Sequence, residues 1–168
     1  MNSDTFFRVP SEWVKHVISS LEQSLSISIQ NAYRRSPVEL SETTISYQVG
    51  ESEPVNHTGN DGRKLHDIEL RFLVEVPTST DFDLEALDAS TRLERELLNQ
   101  RFGCFDDTEE SRLVSNVPRK FDPTLGVFMR VVTLKQRIYM GPVDHFDLEF
   151  CGSDLNAAFG ESPAVTGT

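Results

Sequence analysis

The chain has 168 residues, of which 38% are hydrophobic and 26% are charged, which is ordinary for one folded domain. Its formal net charge of −11 at pH 7 argues against a protein that holds nucleic acid by neutralising phosphates. No apolar run reaches the roughly 20 residues that a membrane-spanning helix requires, and the first residues lack the pattern of a secretory signal. We therefore expect a protein made in a cytoplasm, with Cys104 and Cys151 reduced.

The N-terminal part of the sequence predicts an arm followed by a helix. Residues 1–10 form the arm, and the two phenylalanines in it suggest that it docks on this domain or on a neighbour. Ser11 is a suitable N-cap for the helix. Apolar residues then recur at steps of three and four, as on one helix face: Val14, Val17, Ile18, Leu21 and Leu25. Residues 25–29 fit either the helix end or a strand start, and residues 44–49 predict a strand.

The clearest pattern is a strand from His66 to Pro77. Apolar and mostly charged residues alternate there, which predicts one buried and one solvent-facing side. The apolar positions are Ile68, Leu70, Phe72, Val74 and Val76. Residues 50–64, rich in glycine and polar side chains, predict an exposed loop before this strand. A helix follows from about Phe82 to Asn99, with an apolar face formed by Leu84, Leu87, Thr91, Leu93, Leu97 and Leu98.

The second half of the sequence predicts three more strands. Residues 112–117 form a short strand that Pro118 ends, and residues 127–139 form a long one. Both faces of the long strand are partly apolar, which is typical of a strand that is covered on both sides. The helices would cover one side and another subunit the other. Residues 143–150 predict a last strand.

This order of elements predicts an α+β fold with two helices packed on one face of a mostly antiparallel sheet. The domain would span residues 11–150, between the N-terminal arm and a flexible acidic tail at 151–168. Eight residues are candidates for contacts with another subunit or a partner, because they are aromatic or lie on the two-sided strand. They are Phe6, Phe7, Phe128, Val132, Leu134, Ile138, Phe146 and Phe150.

No recognised catalytic or nucleotide-binding motif occurs in the sequence, and we predict no cofactor and no metal. His66 beside Asp67 could serve as a base or a metal ligand, but it also suits the polar start of a strand. Glu75 and Lys135 could form the carboxylate–lysine pair of a nuclease, although such pairs arise easily by chance.

The densest group of possible metal ligands lies near the C-terminus. It consists of Asp144, His145, Asp147 and Glu149. Such groups bind divalent cations in some phosphodiesterases. However, neighbouring residues point to opposite faces of a strand, and a half-buried strand explains the same alternation without a metal. A metal-dependent phosphodiesterase and a cytoplasmic adaptor remain alternatives to a structural protein.

The order of elements resembles the tail terminator, or tail completion, proteins of long-tailed bacteriophages. The resemblance runs from about Trp13 to Phe150. Four stretches carry it: the opening helix VKHVISSLEQSL, the strand DIELRFLVEV, the acidic helix DLEALDASTRLERELL and the late strand VFMRVVTLKQRIYM. It consists of order and period, not of invariant motifs, and neck, stopper and tail-tube proteins share much of it.

The resemblance implies a non-enzymatic structural protein of the virion, located at the tail or neck and assembled in the host cytoplasm. Such proteins form a hexameric ring at the head–tail junction, which caps the tail tube, ends tail polymerisation and offers a docking surface to the head connector. The implied partners are other copies of the chain, the tail tube protein, the head-side neck protein and, in contractile phages, the sheath protein. The ring would close through strand edges and apolar faces. Genome DNA would pass through an acidic lumen without specific binding. Another neck, tail-completion or tail-tube-like role is the alternative within this class.

Overall fold

A computed structural model of the chain describes residues 6–34, 40–55, 62–103 and 108–141. Within these ranges the elements follow in the order α1 (Pro10–Leu25), β1 (Ile29–Asn31), a short 3-10 turn (Ala32–Arg34), β2 (Thr44–Pro54), β3 (Lys64–Pro77), α2 (Phe82–Leu97), β4 (Arg112–Asp122) and β5 (Val127–Met140). The predicted last strand at 143–150, the tail at 151–168 and both cysteines lie outside the described residues. No described helix is long and apolar enough to cross a membrane.

The five described strands form one sheet in the order β1-β2-β3-β5-β4. The short strand β1 is parallel to β2, and every other pair of neighbours is antiparallel. Both helices pack on the same face of this sheet, as the shared core of helix and strand residues shows. The predicted α+β class, with a mostly antiparallel sheet under two helices, is confirmed.

The core lies between the helices and the even-numbered side of β3. The five apolar residues that alternate in β3 are all buried, so the predicted orientation of this strand is confirmed. In the register with β5, Phe72 lies opposite Val132 and Leu70 lies opposite Leu134. From α1, the core receives the predicted apolar face together with Trp13.

Helix α1 begins at Pro10, not after Ser11 as predicted. Proline suits the first helical position because its fixed φ is helical and its missing N–H would have no helical partner. The N-cap residue is Val9, which provides no side-chain cap. Instead, the Glu12 carboxylate accepts the backbone N–H of Arg8 at 2.7 Å, which places an acid at the positive end of the helix. The helix ends at Leu25, so the ambiguous stretch after it leads into β1.

Two strands are longer than the sequence predicts. β2 continues to Pro54 through an irregularity between Val49 and Ser52, so the first part of the predicted loop at 50–64 is a strand. β4 does not end at Pro118 but continues to Asp122, with a register shift between Pro118 and Lys120. A proline is tolerated there because β4 is an edge strand.

The predicted apolar face of helix α2 is confirmed at Leu93 and Leu97 and is wrong at the start of the helix. Its buried residues are Ala86, Ser90, Leu93 and Leu97, whereas Leu84 and Leu87 are 56% and 42% exposed. Small side chains at 86 and 90 allow the helix axis to approach the sheet. The Ser90 hydroxyl also accepts a hydrogen bond from the Asn116 side chain of β4 at 3.0 Å, which orients this face towards β4.

Candidate functional site

The most distinctive surface of the described residues is the side of the sheet that neither α1 nor α2 covers, which we call the helix-free face. Side chains alternate between the two sides of a strand, so the odd-numbered residues of β3 and β5 point to this face. The register sets them in rows across the sheet. In one row, Leu73 of β3 lies between Ser46 of β2 and Val131 of β5, and Val131 lies opposite Val117 of β4.

One end of the helix-free face is apolar. We define its apolar zone as Leu73, Val117, Val127, Met129 and Val131, which are all half-buried. These side chains come from three adjacent strands. The register sets Leu73, Val131 and Val117 side by side, whereas Met129 lies between Glu75 and Lys120 and Val127 lies between Pro77 and Asp122. Antiparallel sheets commonly leave one face to solvent, but such a face is usually polar. We therefore expect this apolar zone to be covered by another segment of the chain or by another molecule.

The other end of the helix-free face is charged, and most of its charges are paired; Arg112 of β4 lies beside the pairs, opposite Lys135. We define the ionic zone as Glu53, Asp67, Glu69, Arg71, Lys135 and Arg137. Three pairs join it: Lys135 to Glu53 at 3.0 Å, Arg71 Nε to Glu69 at 2.6 Å and Arg137 Nε to Asp67 at 2.7 Å. Each acid of this zone thus has a base as partner.

Arg137 holds Asp67 with two parallel hydrogen bonds, the second at 3.0 Å. This fork of charge-assisted bonds keeps the pKa of Asp67 below its ordinary value, although burial of the carboxylate works against it. Glu109 extends the group, because its carboxylate lies 3.7 Å from Arg137 and accepts the Tyr139 hydroxyl at 3.0 Å. Burial, followed by that hydrogen bond, raises the pKa of Tyr139. The arrangement fixes side chains and neutralises charge; it leaves no base free for chemistry.

Glu69 lies directly over Gly50 of β2. A Cβ atom at position 50 would overlap the Glu69 carboxylate. Glycine here therefore makes room for the carboxylate that binds Arg71, at the irregular part of the β2–β3 pairing.

The described residues carry little of the acidic excess of the chain. Within the described ranges acidic and basic side chains nearly balance, so most of the net charge of −11 lies in sequence outside them. The helix-free face follows the balanced pattern. Helix α2 is more acidic, with Asp83, Glu85 and Asp88 all exposed near its start.

Three of the predicted interface residues are on the wrong side of the sheet to meet a partner. Val132, Leu134 and Ile138 have no exposed surface, because they face the helices and form part of the core. We therefore correct their assignment to core residues. In β5 the side with Val132 and Leu134 faces the helices, and the side with Val131 and Met129 lies on the helix-free face; that another subunit covers this second side stays a prediction.

The other predicted interface residues have varied positions. Phe7 is buried and pairs with Met140 by a parallel bridge, so this part of the arm docks on its own domain; Phe6 is half-buried beside it. Phe128 is half-buried on the helix side in a cluster with Phe82 and Phe121, at 5.3 and 6.4 Å between ring centroids. Phe146 and Phe150 lie outside the described residues.

Sequence reasoning did not select Leu73 or Val117. The signal for Leu73 was present, because it is the one apolar residue among the odd positions from 67 to 75 of an otherwise charged strand side. Val117 had no such signal, since its face depends on the register between β4 and β5.

The pairings considered for catalysis are not formed. Glu75 lies opposite Met129 and Lys135 opposite Glu69, so the two are six residues apart along the sheet, about 20 Å. His66 and Asp67 point to opposite faces of β3, and Asp67 is bound to Arg137. No three possible ligands group around a metal position within the described ranges. The acidic cluster at 144–149 lies outside them.

A cavity of about 520 Å³ opens where the end of α1, the β1–β2 edge and α2 meet. Its lining includes Ile27, Ile45, Ala89 and Arg92. Thr44 and Ser46 of β2 also border it, but their register partners Glu75 and Leu73 place both hydroxyl groups on the helix-free side of the sheet. Both hydroxyl groups are buried without a hydrogen-bond partner among the described residues.

The sequence matches no protein-family model and no curated protein. The structure is similar to a chain in the virion of a native gene transfer agent particle, with a TM-score of 0.48 and 11% sequence identity over 76% of this chain and 91% of that one. A likeness at this level does not indicate a shared function.

Proposed function

We propose that this chain is a structural protein of a virion that assembles as a ring at the head–tail junction. The ring caps the tail tube, ends tail polymerisation and docks the head connector. The observation that supports the proposal best is the order of elements, a helix, two long strands, a second helix and two long strands on a single sheet. The sequence resembles tail terminators in that same order.

A role in assembly also suits the chemistry of the helix-free face. Three of its acids, Glu53, Asp67 and Glu69, each pair with a base, and one end of it carries a row of apolar side chains. Surfaces of this kind are readily buried against another protein. A catalytic site instead needs an acid, base or nucleophile that is free to react with a substrate.

Ring formation can be tested directly on the purified chain. Light scattering coupled to gel filtration should give a multiple of the 19.0 kDa chain mass, and negative-stain microscopy should show closed rings. A protein that stays monomeric at micromolar concentration would contradict the assembly.

The place in the particle needs a separate test in the virus that encodes the chain. Antibody labelling of intact particles should mark the tail end next to the head, and loss of the gene should give tails of uncontrolled length. Label on the tail shaft, or tails of normal length without the protein, would overturn the capping role.

Titration with Mn²⁺ tests the alternative of a metal-dependent phosphodiesterase, because tight uptake is expected only for that enzyme.

A further inference from the structure

We infer that the apolar zone of the helix-free face is the contact between two copies of this chain. The inference rests on the self-assembly proposed above and adds which surface carries it. Three observations lead to it: the apolar zone itself, the paired charges next to it, and the poor suitability of the other surfaces.

The apolar zone has the form of a sheet-packing surface. Leu73, Val131 and Val117 stand side by side on three neighbouring strands, with Met129 and Val127 extending the zone towards the β4–β5 turn. Two such faces pack about 10 Å apart with their side chains interdigitated. Because each copy carries the same zone, two copies can pack zone to zone around a two-fold axis; this contact joins copies in pairs, and closing a ring requires a second, different contact between the pairs.

The charges on the face favour a copy of the same chain. Two copies with a net charge of −11 repel each other at long range, and the repulsion is weakest where the local charge is neutral. The ionic zone is neutral because Asp67, Glu69 and Glu53 each pair with a base. Its pairs are complete within one copy, so burial against a second copy leaves none of these three acids without a partner.

Other described surfaces are less suitable for self-association. The outer edge of β4 holds Pro118 and two register shifts, which hinder the addition of a strand. On α2, Leu84 and Leu87 are exposed, but Asp83, Glu85 and Asp88 surround them and two copies of this surface would repel.

A pair of matched variants tests the contact. Val131→Lys places a cation in the apolar zone, and Leu84→Lys makes the same kind of change on α2, away from the face. We expect Val131→Lys to raise the dissociation constant of self-association about tenfold or more, by sedimentation equilibrium, and Leu84→Lys to leave it unchanged. Val117→Lys on the edge strand is a second variant, in case Val131→Lys alters the circular dichroism spectrum.

The outcomes separate this inference from the proposed function. A wild-type chain that never self-associates removes both. A chain that assembles, but equally well with Lys at 131 and 117, overturns only the contact surface.

A photo-crosslinker at position 117 of the full chain identifies what covers the zone. Links to the apolar zone of a second copy, identified by mass spectrometry of isotope-mixed protein, support the inference. Links within one copy to residues 142–168 would overturn it, because the chain's own C-terminal segment would then be the cover.

Discussion

Trp13 of α1 donates its indole N–H to the side-chain oxygen of Gln136 in β5 at 3.1 Å, and neither residue has any exposed surface. The amide nitrogen of Gln136 in turn donates to the backbone carbonyl of Glu109 at 2.6 Å. One buried amide thus joins the first helix, the sheet and the segment that leads into β4. Its partners are satisfied only while all three elements stay in place, which makes it a sensitive probe of the core.

Gln136→Leu should lower the free energy of unfolding by about 1–3 kcal/mol, because the Trp13 N–H and the Glu109 carbonyl both lose a buried partner. Urea unfolding followed by circular dichroism measures the change, because Trp13 is the single tryptophan of the chain and variants without it have no tryptophan fluorescence. The double variant with Trp13→Phe should lose less unfolding free energy than the sum of the two single changes, since it also removes the indole N–H that Gln136→Leu leaves without an acceptor. Strict additivity would show that the hydrogen bond contributes nothing.

The faces of β3 can be tested at two neighbouring positions. Phe72→Asp should prevent folding, because Phe72 has no exposed surface and a carboxylate there would have no partner. Leu73→Asp is the matched control, since Leu73 is half-buried on the helix-free face and its variant should fold. Circular dichroism spectra of both variants decide the matter. A well-folded Phe72→Asp protein would mean that the faces are reversed.

These two positions also mark what the sequence could predict. In β3 the period-two pattern identifies the buried face, because nearly every outward residue is charged. In β5 both faces hold valines, so the local pattern does not distinguish them. The register with β3, which is distant in sequence, decides that Val132 lies in the core and Val131 on the surface. On α2 the pattern correctly placed Leu93 and Leu97 in the core but chose Leu84 and Leu87 over Ala86 and Ser90, because leucine is more hydrophobic, whereas close packing on the sheet selects the smaller side chains there. The ionic zone depends on pairs across strands, such as Asp67 with Arg137, that no local pattern shows.

The Asp67–Arg137 pair predicts a dependence of stability on pH. Hydrogen bonds from Arg137 lower the folded-state pKa of Asp67, so the pair stabilises the protein above the unfolded-state pKa, about 3.9, and this contribution is lost as pH falls through the lower folded value. At pH 7, Asp67→Asn should cost about 1–3 kcal/mol of unfolding free energy.

Urea unfolding at pH 7, 5 and 3 should show the deficit of Asp67→Asn unchanged between the first two and smaller at the last. Glu110→Gln is the control. Glu110 and Arg101 are each 60% exposed and lie 3.7 Å apart, and such an exposed ion pair contributes little to stability. A deficit that grows towards pH 3 would contradict the assigned direction.

Gly50→Ala should destabilise the protein by about 1–3 kcal/mol, because the added methyl group displaces the Glu69 carboxylate from Arg71. Thermal unfolding measures this change. In a Glu69→Ala background the same substitution should cost much less, since nothing then occupies the space. An equal cost in both backgrounds would assign the effect to the backbone of the irregular β2 segment.

Salt should strengthen self-association if the apolar zone is the contact. The pairs Lys135–Glu53 and Arg137–Asp67 are complete within one copy, so no ion pair across the contact is needed, while the repulsion between two chains of charge −11 is screened as ionic strength rises. Raising NaCl from about 50 to 500 mM reduces the Debye length roughly threefold. Sedimentation equilibrium should then show a lower dissociation constant for the wild-type chain and for Leu84→Lys. A dissociation constant that rises with salt would indicate charge pairs between copies and would exclude the apolar zone as the main contact.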